Sequence, residues 1–250
     1  MIPITRAQLE MLRGWFVPEL PGPAIGPHVL YSGCGRAWVD RWPAPHCLVV
    51  ESPDHIMLYG EPTGLEPPRL AAVAVGLISA PPVFDRVLAA AFPRLEHWPR
   101  AVYVLPEAAR LGNTQTTHPR ALLRRLTAGD GEDVENLSPE CAWISKSWGG
   151  GAELARSGYG WGAWVDGELA AVACTFMRGE QHEDIGVVTE PAYAGAGLGR
   201  ACARALCGDI RARGRTPTWT TSRANRASLA AARGLGFVHH HDDVHLVPVL

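Results

Sequence analysis

One stretch constrains this sequence more than any other: residues 182–189, where Ile185, Val187 and Val188 form an apolar run, together with the three alternating glycines that follow. The apolar run is rich in β-branched residues and predicts a strand. Gly195, Gly197 and Gly199 come next, and helical periodicity continues over residues 200–213. Alternate glycines between a strand and a helix let backbone N–H groups converge on an anion at the positive end of the helix. The stretch therefore predicts a site for a phosphate-bearing cofactor, although such glycines also occur in turns that bind nothing.

Two well-known phosphate-binding motifs do not match these glycines. A dinucleotide-binding Gly-x-Gly-x-x-Gly motif requires a glycine at the position of Arg200. A Walker-type loop requires Gly-Lys-Ser or Gly-Lys-Thr, and neither follows here. The pattern therefore favours a different class of phosphate-bearing cofactor.

A second motif lies one helix and one strand further along the chain. It combines Asn225, the small residue Ser228 and the tripeptide Leu235-Gly236-Phe237. In this order the two motifs resemble the GNAT superfamily of acyl-CoA-dependent N-acyltransferases, whose cofactor loop has the form Arg/Gln-x-x-Gly-x-Gly/Ala. The matching loop of this chain is Ala194-Gly195-Ala196-Gly197-Leu198-Gly199. The resemblance extends over residues 122–250.

The resemblance implies an α+β protein with a mixed sheet, in which the C-terminal half has the GNAT fold and a smaller α+β lobe precedes it. Residues 112–119 are polar and rich in turn formers, so we place the boundary there and expect domains over residues 1–118 and 119–250. The segment Arg36-Ala37-Trp38-Val39-Asp40 resembles the leading region of a bacterial GNAT branch with an N-terminal extension. The first lobe is then a degenerate GNAT-like lid or wall of the acceptor site, or a purely structural partner.

Local patterns predict the secondary structure of both halves. In the first half we expect helices over residues 4–16 and 83–92 and strands over residues 36–40, 47–51, 56–60 and 101–105. In the second half we expect a helix capped by Asp130, a helix over residues 142–157 and strands over residues 159–165 and 169–176, joined by an Asp166-Gly167 turn. Trp143 and Trp148 line an acceptor pocket or belong to the core.

The resemblance implies acetyl-CoA as the co-substrate. The residues that it assigns to the cofactor are Val187, Val188, Thr189, Ala194, Gly195, Ala196, Gly197, Leu198, Gly199, Arg200, Asn225 and Ser228. Loop amides would hold the pyrophosphate, while the backbone of residues 187–189 would hold the pantetheine arm and polarise the thioester carbonyl. The alternative for residues 187–189 is a plain buried strand. Ala194 departs from the family pattern and removes one side-chain contact with the cofactor.

Catalytic residues are expected at the start of the 182–189 strand and after Asn225. Glu183 and Asp184 stand where many relatives have a carboxylate that removes a proton from the amine, and strand alternation lets only one of them face the cleft. The alternative is that both are solvated charges at the end of a strand. Many relatives carry, at the position of Ala232, a Tyr that protonates the leaving thiolate. Ser228 is then the candidate to hydrogen-bond the sulfur or the pantetheine arm. The alternative is that its hydroxyl bonds only to the backbone of its own helix.

Composition excludes several other classes of protein. A net charge of −2 provides no electrostatic basis for binding nucleic acid or an acidic membrane. The 6 cysteines include no Cys-x-x-Cys pair, which is typical of reduced thiols in a cytoplasmic protein, and we find neither a secretory signal nor a membrane-spanning run. The His239-His240-His241 run alternates between strand faces, so we expect an exposed hairpin there and no metal site.

The sequence thus predicts a bacterial, cytoplasmic N-acetyltransferase, monomeric or homodimeric. It would move the acetyl group of acetyl-CoA by direct attack of a primary amine on a small-molecule acceptor. Two alternatives stay open: a protein or peptide N-acetyltransferase, and a non-catalytic acyl-CoA-binding sensor, which the substitutions at Ala194 and Ala232 would suit.

Overall fold

A computed structural model of the chain describes residues 1–111 and 118–249. Their contacts divide the chain into two compact units. The first unit contains Met1–Glu19, Ile25–Arg100 and Asp242–Leu250, and the second contains Leu20–Ala24 and Ala101–His241. Most of the predicted 112–119 boundary segment lies outside the described residues, so the boundary stays a prediction.

The first unit is an antiparallel meander followed by a parallel strand. Its elements are β1 (Ile2–Pro3), α1 (Arg6–Met11), α2 (Ile25–Ser32), β2 (Arg36–Val39), β3 (Cys47–Ser52), β4 (His55–Gly60), α3 (Pro67–Ala71), β5 (Leu77–Ser79), α4 (Asp85–Ala91) and β6 (Leu95–Val104), which ends in the second unit. Strands β1 to β4 pair antiparallel in chain order, and β5 pairs parallel to β4. The core contains Val49, Leu58, Leu70 and Phe84.

The predicted elements of the first unit are largely present. The three strands expected over residues 36–60 are confirmed within one or two residues. Helix α2 is absent from the prediction because Pro27 lies in it, yet Pro27 is in the first turn, where no intrahelical N–H bond is lost. Strand β6 is longer than expected and begins at Leu95.

The second unit continues the chain with the same kinds of element. They are β7 (Ala121–Arg125), α5 (Gly131–Glu135), α6 (Gly151–Ser157), β8 (Gly160–Val165), β9 (Glu168–Arg178), β10 (His182–Thr189), α7 (Leu198–Ala212), β11 (Thr216–Ser222), α8 (Arg226–Gly234) and β12 (Val238–Pro248), which ends in the first unit. Strands β7 to β10 pair antiparallel in chain order, and β11 pairs parallel to β10. Helix α7 buries Leu198, Cys202, Leu206 and Ile210 in the core of this unit.

Turn chemistry accounts for the boundaries in the second unit. Asp166 and Gly167 both have positive φ, 53° and 92°, which confirms the predicted two-residue hairpin turn. The helix expected over residues 142–157 is divided, because Gly149 and Gly150 have φ of 93° and 134° and separate a 3₁₀ segment, Ala142–Trp148, from α6. The hairpin expected around His240 is wrong: that residue belongs to the single strand β12, since neither glycine nor proline interrupts residues 238–247.

The two units share one topological feature. In the first, His55–Met57 of β4 are the residues paired with β5. In the second, residues 182–184 of β10 are the ones paired with β11. Strand β10 continues to Thr189 and β11 to Ser222 beyond these pairs, so the two strands separate. We call this separation the second fork. We call the end of the β4–β5 pairing, where β5 ends at Ser79 and β4 continues to Gly60, the first fork.

Candidate active site

The second fork exposes one edge of β10. Glu190 donates its N–H to the Ala170 carbonyl at 2.8 Å, and the register places Val188 opposite Val172. Because backbone groups in an antiparallel ladder point alternately to the two sides, Val188 also bonds toward β9. The backbone groups of Val187 and Thr189 therefore point toward the opening, where the Cys141 thiol donates to the Thr189 carbonyl at 3.5 Å.

The glycines after β10 serve two structural purposes. Gly195 and Gly197 have φ of 80° and 76°, a backbone region that favours glycine, and no atom lies within 4 Å of a Cβ built on Gly195. Gly199 instead allows close packing, because its Cβ would lie 2.5 Å from Thr189 Oγ1 and 3.1 Å from Val187 Cγ1. The loop is thus open at Gly195, and α7 packs directly on β10 at Gly199.

The N-terminus of α7 presents backbone donors. Gly197 is the N-cap, so the N–H groups of Leu198, Gly199 and Arg200 have no partner inside this 15-residue helix. The Arg200 side chain is exposed and adds positive charge at the same end. The amides of Ala194 and Ala196 are used differently, because they bond to the carbonyls of Pro191 and Tyr193 at 3.2 Å each.

Glu183 is buried in an ion pair and lies away from the opening of the fork. Its side chain has 0% exposure, and Arg213 donates Nε to Oε1 at 3.0 Å and Nη2 to Oε2 at 2.6 Å. The Thr175 hydroxyl donates to Oε2 at 2.5 Å, and Arg215 lies 3.5 Å from Oε1. Arg213 follows α7, so Glu183 faces the helix side of the sheet and its charge is balanced there.

Asp184 lies at the point where β10 and β11 separate. It is 4% exposed, and the hydroxyls of Thr218 and Thr220 both donate to its Oδ1, at 2.8 and 2.9 Å. The β9 ladder shifts register at this residue, and Phe176 is the extra residue on β9. Such irregularities redirect side chains and are frequent beside active sites. The alternative that Glu183 and Asp184 are solvated strand-end charges is wrong, because both are buried.

Asn225 and Ser228 are held at the start of α8. The Asn225 side chain caps the helix by accepting from the Ser228 N–H at 3.0 Å. The Ser228 Oγ accepts from the Trp219 indole N–H at 2.9 Å, which leaves its own hydroxyl proton to donate elsewhere. Ala232 is fully buried.

The two candidate pocket tryptophans have different environments. Trp148 is 7% exposed, stacks on Tyr159 and donates to the Thr175 carbonyl at 2.8 Å, so it belongs to the core. Trp143 is 38% exposed and packs edge-to-face on Phe176, with ring centroids 5.3 Å apart. A Cβ built on Gly186 of β10 would lie 3.3 Å from the Trp143 ring, so this ring covers the sheet on the Asp184 side.

Sequence reasoning missed the two threonines that hold Asp184. Their signal is the alternation in Thr216-Pro217-Thr218-Trp219-Thr220, which puts Thr218 and Thr220 on one strand face. That signal becomes informative once β11 is known to pair with β10.

Comparison with known proteins agrees with this geometry. The sequence model of the GNAT acetyltransferase family matches residues 24–243. The chain belongs to the GNAT acetyltransferase family. An "Uncharacterized N-acetyltransferase in mutA 5'region" from Streptomyces virginiae is 40% identical over 202 residues, which cover 80% of this chain and 84% of that protein.

Solved structures show the same fold at low sequence identity. A GCN5-related N-acetyltransferase-like protein from Streptococcus suis 89/1591 has a TM-score of 0.74 and 16% identity over 96% of this chain and 98% of its own. A tandem GNAT protein from the clavulanic acid biosynthesis pathway, described without AcCoA, has a TM-score of 0.64 and 15% identity over 98% of this chain and 96% of its own. The predicted α+β GNAT fold and the predicted acyl-CoA-dependent N-acetyltransferase class are confirmed.

Two further points concern membrane spans and the co-substrate. Within residues 1–111 and 118–249, no helix combines the length and apolarity that crossing a bilayer requires. Acetyl-CoA is the co-substrate of the matched family. The residues at the second fork suit it, because they provide open glycine backbone, helix N-terminal amides and a β10 edge that is not paired with β11.

Proposed function

We propose that this protein transfers the acetyl group of acetyl-CoA to a primary amine of a small molecule by direct attack, and that Asp184 is the base. The observation that carries this proposal is the position of Asp184. Its carboxylate lies at the opening of the fork whose free β10 edge leads into the glycine loop of α7.

The cofactor would follow that edge. The pyrophosphate suits the N–H groups of Gly195, Gly197 and the first turn of α7, because these donors meet at the positive end of the helix. The pantetheine amides suit the outward backbone groups of Val187 and Thr189. One N–H on this edge would polarise the thioester carbonyl, in the manner of an oxyanion-hole donor.

Asp184 would prepare the amine. The acceptor arrives as an ammonium ion, and Asp184 removes one proton, directly or through a water molecule. The amine lone pair then attacks the thioester carbonyl carbon, the C–N bond forms and the C–S bond breaks. The departing thiolate takes a proton, for which the Ser228 hydroxyl is the candidate donor. The nitrogen then gives up its second proton, which restores that hydroxyl, and Asp184 releases its proton to water. The products are an amide and CoA.

Glu183 has a different role in this proposal. Its carboxylate is already bonded to Arg213 and Thr175, so it serves to hold β10 in place. Thr218 and Thr220 orient Asp184 by donating to one of its oxygens, which fixes the carboxylate at the start of the fork.

Amine-dependent release of CoA, followed with a thiol reagent over a panel of small amines and short peptides, tests the proposal. We expect release with small amines, and Asp184→Asn should lower kcat by about 100- to 10,000-fold, the usual contribution of a general base. Acetyl-CoA affinity, measured by calorimetry, should not change. The matched control is Asp166→Asn in the β8–β9 turn, whose positive φ suits asparagine.

Other outcomes would contradict the proposal. Tight acetyl-CoA binding without release for any amine indicates a sensor. Release with peptides alone indicates a peptide acetyltransferase. Full activity of Asp184→Asn removes Asp184 from the chemistry.

A further inference from the structure

A short segment from the N-terminal part of the chain lies beside the second fork. Leu20–Ala24 belongs to the second unit, although about 80 residues of the first unit follow it in sequence. A Cβ built on Gly22 would lie 3.4 Å from Val102 Cγ1 and 3.6 Å from Thr220 Oγ1. The segment therefore contacts the threonine that donates to Asp184.

Gly22 is suited to this close approach. Its φ of 118° lies in the region that favours glycine, and its backbone packs on β6 and β11 at the same time. Prolines on both sides of Gly22 restrict the segment and lower the entropy cost of holding it there. The segment is thus a stiff wall beside the carboxylate and differs from a loose linker.

Two exposed apolar side chains belong to the segments that contact the Asp184 side of the sheet. Leu20 is 67% exposed and lies two residues before Gly22. Trp143 is 38% exposed and covers Gly186, two residues after Asp184 on β10. Exposed large apolar groups around a buried charge are typical of a binding site for a ligand with an ionic end and an apolar body.

We propose that Leu20–Ala24 forms one wall of the acceptor site and Trp143 the opposite wall. Together they select a primary amine carried on an apolar skeleton, whose ammonium group pairs with Asp184. This inference rests on the proposed function, because it places the acceptor at Asp184, and it adds the chemical class of the acceptor.

The test compares amines that differ in polarity but not in length. Titration calorimetry with the protein–CoA complex would measure the affinities of n-hexylamine and 5-amino-1-pentanol, and CoA release would measure kcat/KM for both. We expect n-hexylamine to bind at least tenfold more tightly, since each apolar group transferred from water to an apolar site adds affinity. Leu20→Ser should reduce that preference at least threefold, through a higher KM for hexylamine.

A matched control and a second variant keep the test decisive. Met11→Ser replaces a side chain that is 74% exposed at the end of α1, and it should keep the wild-type preference. Trp143→Ser should reduce the preference as Leu20→Ser does, and circular dichroism establishes that both variants are folded. An equal effect of Met11→Ser and Leu20→Ser, or a preference for the alcohol, overturns the inference.

The binding and transfer measurements separate the two proposals. If hexylamine binds as expected but is never acetylated, the proposed function is wrong and the inference of an apolar acceptor site is supported. If CoA release occurs with amines of either polarity at equal kcat/KM and equal affinity, the transferase function is supported and the inference of an apolar acceptor site is wrong. If neither amine binds the complex, both proposals are wrong.

Discussion

The two forks of this protein have the same strand pairing but different chemistry. Counted from the first paired residue, Ile56 and Met57 of β4 occupy the positions that Glu183 and Asp184 occupy in β10. The first fork therefore has apolar side chains where the second has its two carboxylates. A shared topology places residues at equivalent positions, and the residues themselves decide whether those positions can do chemistry.

The helix N-termini that follow the two forks also differ in how well they suit an anion. Helix α7 begins after Gly197, with free amides and Arg200 close by. Helix α3 has 5 residues, follows Glu66 and begins with Pro67 and Pro68. Proline has no N–H, and a glutamate repels phosphate, so the N-terminus of α3 is unsuited to an anion.

Aromatic side chains pack around the end of β4 at the first fork. Tyr59 packs on Phe16 in a tilted arrangement with ring centroids 5.0 Å apart, and its hydroxyl accepts from the Gly26 N–H at 3.2 Å. A Cβ on Gly60 would lie 2.7 Å from the Trp15 ring. The comparison teaches that the first fork is built for packing and the second for a ligand, so we expect one acetyl-CoA per chain.

The largest expected effect concerns stability, and it differs between the forks. Glu183→Gln leaves Arg213 and Arg215 without their buried partner, and we expect it to cost about 3 kcal/mol, the lower end for a broken buried ion pair because both arginines keep some contact with water. At the equivalent position Ile56→Val removes one methylene and should cost about 1 kcal/mol. Urea unfolding measures both values. Equal losses in the free energy of unfolding would show that the ion pair of Glu183 does not stabilise β10.

The next difference concerns the cofactor. Gly195 and Gly64 both have positive φ, 80° and 71°, with no atom within 4 Å of an added Cβ, and each lies between a fork strand and the next helix. Aspartate should therefore cost the same stability at both, about 1 kcal/mol. Only Gly195→Asp puts a negative charge beside the predicted pyrophosphate, so we expect its acetyl-CoA affinity to fall at least 100-fold, and that of Gly64→Asp to stay unchanged. Calorimetry with one-site fitting measures the acetyl-CoA affinity of both variants. A 100-fold loss of affinity in Gly64→Asp would show that the cofactor binds to the first unit.

The smallest difference is a pH dependence that arises in the first unit. Burial, together with nearby Arg100 and His55, lowers the pKa of His245 to about 2 from 6.5. Below pH 6.5 the unfolded chain binds a proton at His245 and the folded chain does not. The free energy of unfolding therefore falls as the pH falls, by about 1.4 kcal/mol per pH unit. His245→Gln should flatten the stability profile between pH 6.5 and 5, measured by urea midpoints.

The second unit should not contribute to that slope through Asp130. Arg124 lowers the pKa of Asp130 to about 2 from 3.8, so the stability it provides is lost only as the pH falls below about 4. His97→Gln, at an exposed histidine, is the control and should keep the wild-type profile. A profile that is unchanged in His245→Gln would assign the pH dependence to other groups.

Local sequence patterns predicted the parts of the site that depend on neighbours in the chain. The bounds of β10, the Asp166-Gly167 turn and the helix after the glycines all agree with the structure, because they follow from periodicity and backbone preference. The pattern failed at α2, where a proline in the first turn resembles a helix breaker. It also left Glu183 and Asp184 undecided, since alternation separates two faces without saying what covers each.

By itself, the sequence determined that a strand, three alternating glycines and a helix form a loop with free N–H groups, since positive φ and the absence of Cβ are properties of glycine. It also determined the family through two motifs. Only the tertiary structure decided that Glu183 pairs with Arg213, that Asp184 meets Thr218 and Thr220, and that Leu20–Ala24 packs beside them. These contacts join residues far apart in the chain, and their geometry exists only once β10 and β11 pair and then separate.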